Sequence, residues 1–213
     1  MEKELQKRIL SSILIIPLVL FFIIKGSIFF IFFLLILFLI ALLEWIKIVK
    51  KIELKILGII FLSFSFYLTF LVRDIDLLNF LFIFIVCIST DIGGYFFGKT
   101  FKGPKLTKIS PNKTYSGVVG GFLLSIITSY IIFKIYYPNF LDFTLNNDLI
   151  FLFMIFLISF VSQIGDLIIS YFKRLSKIKN TGKIFPGHGG MLDRIDGMIF
   201  VFPIIYLLSI IFS

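Results

Sequence analysis

The chain has 213 residues, 59% of them hydrophobic and only 15% charged, with 30 Phe and a formal net charge of +9. That balance excludes a soluble domain, which could not bury so much apolar surface behind so few charges. A disulfide-built scaffold is excluded as well: Cys87 is the only cysteine, and in the apolar run LFIFIVCIS it reads as a small core hydrophobe.

The chain reads as an all-α, polytopic integral membrane protein with about seven transmembrane helices. Ile9 to Ile24 is apolar apart from Ser11, Ser12 and Pro17, and another apolar run follows directly after Lys25-Gly26, so it reads as a retained first span rather than a cleaved signal. A second span covers about Ile28 to Leu43 and closes on Glu44-Trp45, where an interfacial indole is favoured. The third runs from about Ile56 to Val72, followed by the polar hairpin Arg73-Asp74-Ile75-Asp76. The fourth covers roughly Leu77 to Ser89 and leads straight into Asp91. A polar, Lys-rich loop from Thr100 to Ser116 holds Pro104 and Pro111, so no long helix is expected there. A fifth span covers about Val118 to Phe133, and Tyr136 to Asp148 forms a second polar loop. The sixth begins near Leu149 and continues through Asp166 toward Ser170, and the last covers about Met198 to Phe212. Several spans fall short of the roughly 20 residues a crossing needs, so helices are expected to extend into the loops.

Alternate segments (the N-terminus, 47–55, 99–113 and 173–194) hold 18 of the 21 Lys and Arg. This asymmetry predicts a cytoplasmic N-terminus and places both polar motif loops on the cytoplasmic side of a cell (inner) membrane. The positive charge is read as loops facing anionic headgroups, with no nucleic-acid partner expected. The chain is one membrane domain over 1–213, with N-terminal spans over 1–90 and a catalytic region over 91–213 that contains the two loops.

The residues with chemistry cluster in 163–197. Ionisable groups beside apolar spans are costly and mark function. Asp166, Asp193 and Asp196 are hard oxygen ligands of the kind Mg2+ takes. Lys173, Arg174, Lys179, Lys183 and Arg194 suit phosphate oxygens. Asp193 and Asp196 are three apart, hence on one face if helical. Either a cation lies between them, or Arg194 balances them on a solvated helix end. The turn Pro186 to Gly190 lets backbone N–H groups approach an anion, with His188 either structural or a phosphate contact. One Cys and one His cannot build a zinc site. The earlier loop, Asp91 to Gly121, mixes glycines, lysines and the hydroxyls of Thr107, Ser110 and Thr114. It is either a phosphate loop of no standard pattern or a basic loop that fixes topology. Asp91, directly after an apolar span, needs a partner: a loop lysine or a metal.

SYFKRLSKIKNTGKIFPGHGGMLDRID, Ser170 to Asp196, resembles the signature of the phosphatidate cytidylyltransferase family, which ends in P-G-H-G-G-x-x-D-R-x-D. QIGDL before it, Asp91, Tyr95, Gly98 and the ISPNKT stretch from Ile109 to Thr114 are similar to the family too. The resemblance covers about residues 85–200. Asn180 departs from the family's Asp, and Ile169 and Ser116 from its frequent Glu. The family typically has eight or nine spans, more than are counted here.

The resemblance implies a nucleotidyltransferase that converts CTP and phosphatidate to CDP-diacylglycerol and pyrophosphate in phospholipid biosynthesis. Asp166, Asp193 and Asp196 would then hold Mg2+. Lys173, Arg174, Lys179 and Arg194 would meet the CTP triphosphate or the lipid phosphate, with His188, Gly189 and Gly190 shaping the turn. Asp91, Ser110, Lys113 and Thr114 would complete the pocket. The bilayer would supply the lipid laterally, and a homodimer stays open. Two other readings stand beside this one. A CTP-dependent kinase of a polyprenol-type lipid needs a similar site. An ion-coupled transporter would use the aspartates as ion ligands, but its site is expected near the bilayer midplane.

Overall fold

Long apolar runs can satisfy their backbone in lipid only as helices, and that is what they form. The computed structural model describes residues 16–135, 148–182, 184 and 189–211. Among these residues seven apolar helices follow in the predicted order: α1 (Ile16–Lys25), α2 (Ser27–Ile48), α3 (Ile52–Ile75), α4 (Leu77–Phe101), α5 (Tyr115–Ser129, continued by a π-helical turn Tyr130–Ile135), α6 (Asp148–Leu175) and α8 (Met198–Ile211). The single turn α7 (Leu192–Ile195) precedes the last of them. Among the described residues α2, α3, α4, α5 with its continuation, and α6 are long and apolar enough to cross a membrane, while α1 and α8 are shorter. No strand occurs among the described residues. The chain is an all-α, multi-pass membrane protein. Residues 9–15 of the expected first span, the 136–147 loop, Lys183 and the Pro186–His188 turn lie outside the described residues.

The helices run further than hydropathy suggested, as their short apolar runs required. α3 continues through Arg73 to Ile75, leaving Asp76 alone as the break, where its carboxylate caps α4 by accepting from Leu78 N–H at 2.8 Å. Arg73 donates to the Ile23 and Ile24 carbonyls at 2.9 and 3.2 Å and lies over the Phe30 ring, so its charge closes the end of α1. α4 passes Asp91 and ends at Phe101.

Two apolar clusters hold the bundle. In one, Phe80 stacks on Phe202 at 4.9 Å and meets Phe30 edge-on at 5.6 Å, among Ile83, Val86, Ile155 and Val201. The other contains Ala41, Trp45, Leu62, Ile169, Leu192 and Ile199, with Trp45 edge-on to Phe172 at 4.9 Å. Ile169 is 3% exposed there, which accounts for an apolar side chain where the family often has Glu.

The most extensive helix contact joins α4 and α5. It works because glycines let the backbones touch: a Cβ at Gly120 would lie 2.2 Å from Phe97 Cβ. Gly120→Ala should therefore push the helices apart and destabilise the protein by about 1–3 kcal/mol, the cost of overpacking. A thermal midpoint equal to the parent's in detergent would show that the contact can relax.

Three basic connections meet at one end of the bundle. Ser176 Oγ donates to the Ile48 carbonyl, Arg174 Nε donates to the Ile109 carbonyl at 3.2 Å, and Thr181 Oγ1 donates to Glu44 at 2.7 Å. Three of the four Lys- and Arg-rich segments thus lie together, and the fourth, at the N-terminus, is outside the described residues.

Candidate active site

The polar end of α6 supplies the floor of the site. Asp166, Ser170, Lys173 and Arg174 recur at helical spacing and so share one face; Ser170 Oγ donates to Asp166 Oδ1 at 3.2 Å. Asp166 is 27% exposed and is paired with Lys113, whose Nζ lies 2.6 Å from Oδ2. The same Nζ reaches the Gln163 carbonyl at 3.4 Å.

Lys113 is aimed by its loop. Leu106 N–H donates to the Lys113 carbonyl at 2.8 Å, Tyr115 N–H to Pro104 at 3.2 Å, and Lys113 N–H to the Ser110 carbonyl at 3.1 Å. Thr114 caps α5 by accepting from Gly117 N–H at 3.1 Å. Ser116 bonds Thr114 and the Lys102 carbonyl, so it serves the loop where the family often has an acid. Ser110 and Thr114 therefore shape the turn that presents Lys113.

On the other side of Asp166 is Asp196, immediately after α7. The two carboxyls are in hydrogen-bonding contact, and Asp196 also accepts from Gly197 N–H at 3.0 Å. Asp196 is 8% exposed. Burial, then the charges of Asp166 and Asp91, hold its carboxyl well above the usual carboxylate range. Asp91 faces this pair from α4, within the fields of Asp166, Lys113 and Arg194. Acids this close need a proton or a cation between them.

Asp193 does not join them. Its Oδ1 pairs with Lys173 Nζ at 2.8 Å. Its Oδ2 accepts from Thr181 N–H at 2.8 Å, Gly190 N–H at 2.9 Å and Thr181 Oγ1 at 3.1 Å. Burial alone would raise this carboxyl, but the bonds from Lys173, Gly190 and Thr181 outweigh it and hold Asp193 below the usual range. Of the three acids expected on one cation, Asp166 and Asp196 are neighbours here, while Asp193 bonds to Lys173, Thr181 and Gly190. Spacing of three puts residues 193 and 196 on one side of a helical turn, but each edge of that side meets a different neighbour. Among the described residues no three His, Cys, Asp or Glu side chains are grouped to hold a metal ion between them.

The basic groups divide in the same way. Lys173 is buried against Asp193 and is committed to it. Arg174 spans the carbonyls of Ile109 and Ile178, tying the loops together. Lys179 and Arg194 are exposed at this end. Gly189 adopts φ +93, and a Cβ there would lie 2.6 Å from Asp193 Oδ2 and 3.4 Å from Asn180. Asp193 and Asn180 thus flank one glycine, where a neutral amide avoids setting two carboxylates side by side. His188 lies outside the described residues.

Sequence reasoning missed Glu44, Gln163 and Thr181. Glu44 carried the same signal as Asp91, an acid at the end of an apolar span, but its neighbour Trp45 suggested an interface anchor instead.

The chain matches the model of the cytidylyltransferase family over residues 55–212. It is 35% identical to the phosphatidate cytidylyltransferase of Rickettsia felis, over 99% of this chain and 94% of that protein. The Rickettsia conorii protein of the same name is 35% identical over 98% and 93%. The Bacillus subtilis one is 38% identical over 74% of this chain and 58% of its own length.

Proposed function

This chain belongs to the cytidylyltransferase family, and we propose that it transfers the cytidylyl group of CTP to phosphatidate, giving CDP-diacylglycerol and pyrophosphate. A phosphate oxygen of phosphatidate attacks the α-phosphorus of CTP, and the bond from that phosphorus to the pyrophosphate oxygen breaks. The attacking oxygen is already an anion, so no Ser or Cys nucleophile is needed. What the reaction needs is in-line alignment and neutralised phosphate charge. The observation that carries the reading is the Asp166–Asp196 contact beside Lys113.

Mg2+ usually takes one or two carboxylates and completes its shell with water and substrate phosphates. A pair of neighbouring acids, one of them raised by burial and by the charges of Asp166 and Asp91, fits such an ion, whose charge would relieve their repulsion, so Asp166 and Asp196 would hold it. Once bound, it would neutralise phosphate charge and orient the triphosphate. Lys113 and Arg194 would receive phosphate oxygens from the two loops, with the charge of Asp91 beside both. Lys173 and Asp193 act one layer behind, fixing the turn that carries Asp196. The site faces the cytoplasm of the inner membrane, a reading supported by the gathering of basic loops at its end, and lipid enters from the side of the bundle.

The test uses membrane vesicles of both orientations, phosphatidate, Mg2+ and CTP labelled in its α-phosphate. Label is expected in the lipid only when CTP meets the cytoplasmic face. Transfer from the γ-phosphate to a lipid alcohol would establish the kinase reading instead, and activity confined to right-side-out vesicles would reverse the orientation.

A further inference from the structure

We propose that Glu44, on a helix outside the matched family region, is a positioning residue that fixes both ends of the 182–189 segment and the turn bearing Asp193 and Asp196. The inference rests on the reading of the site given above.

Glu44 lies on α2, about one turn from its C-terminal end, yet it is 5% exposed. Its carboxylate is filled by partners more than 130 residues away. Oε1 accepts from Met191 N–H at 2.9 Å. Oε2 accepts from Leu192 N–H at 2.8 Å and Thr181 Oγ1 at 2.7 Å. A Cβ at either Gly182 or Gly190 would lie 2.4 Å from Oε1, so the backbone on both sides of the segment comes down onto this one carboxylate.

Asp193 holds the same two stretches, through Thr181 and Gly190. Thr181 Oγ1 lies between the two acids. The turn is thus held between a carboxylate from α2 and one of its own, and Asp196 leaves it toward Asp166. The base of the clamp is rigid: Trp45 packs on Phe172 and donates from Nε1 to the Lys55 carbonyl at 3.3 Å. None of Glu44's contacts is to the reacting groups. Its effect must pass through the turn.

Glu44→Gln is the informative change, because it keeps shape and burial. Whichever way the amide turns, its NH2 meets a backbone N–H that needs an acceptor. Displacement of reacting groups by about 1 Å can cost about a hundredfold in rate. We expect kcat to fall by about that factor while KM for phosphatidate stays within about threefold. Amide hydrogen exchange should quicken over 189–195 and not through α3 or α4.

Thr181→Val removes the hydroxyl contacts to Glu44 and Asp193 and leaves the backbone N–H bonds to both acids in place, and its smaller loss of kcat with the same local exchange is the second arm, decisive if the Gln variant fails to insert. Parent-like kcat and exchange in the variant that inserts would overturn the proposal. Faster exchange throughout the bundle would overturn it too, by making Glu44 a general folding residue. A parent without cytidylyl transfer would refute the functional reading alone, since the exchange comparison still decides the clamp.

Discussion

Asp166→Asn and Asp196→Asn each lower cytidylyl transfer by roughly a hundredfold or more, about 2.7 kcal/mol of transition-state stabilisation. Asn is nearly isosteric with Asp and removes its charge, and both side chains sit at the polar end of the bundle rather than in its apolar clusters. Each variant should therefore remain folded. Because the two carboxyls touch, they act as one unit, and the double variant should cost little more than the worse single one. The elevated Asp196 adds a pH signature. A cation competes with the proton that this raised carboxyl binds more readily than an ordinary one, so half-saturating Mg2+ should rise as pH falls, and this rise should be weaker in Asp196→Asn. Turnover of both single variants within about fivefold of the parent at saturating Mg2+ would refute the assignment of this pair.

The second large effect is on stability. Lys173 and Asp193 are each 9% exposed at the side chain, and removing one member of a buried pair costs about 3–5 kcal/mol because the other charge is stranded. Asp193 keeps three further donors, so Lys173→Met should fall at the low end of that range. For a chain of this size that lowers the thermal midpoint by about 6–12 °C. Lys173→Met combined with Asp193→Asn should lose less than the sum of the two.

The sign with pH follows from the lowered Asp193. Its folded value lies below the unfolded value of about 4, so its contribution is present above about pH 4 and is lost as pH falls through the folded value. The gap between parent and Asp193→Asn should therefore close on acidification. A Lys173→Met midpoint equal to the parent's would mean the ammonium is not buried as described. Together the two experiments separate acids that face substrate from an acid that holds the scaffold.

Much of this architecture is legible in the sequence by itself. Apolar runs between polar breaks dictate helices, because lipid leaves the backbone no other partner. The alternation of Lys and Arg dictates which loops share a side. The acids at 91, 166 and 196 were conspicuous for the same reason: charge beside an apolar span is kept only where something uses it. What the sequence could not resolve is which acids meet. Asp193 and Asp196 differ by three positions and look equivalent along the chain, yet one turns to Lys173 and Thr181 and the other to Asp166. That choice depends on how α7 seats between α2 and α6, which involves contacts with no sequence spacing to reveal them. Glu44 is the clearest instance: it precedes Thr181 by 137 residues and resembles an interface residue until the fold brings two loop ends onto it. Lys113 shows the same thing from the other direction, one of four lysines in its loop, singled out only because the turn from Pro104 to Thr114 points it at Asp166.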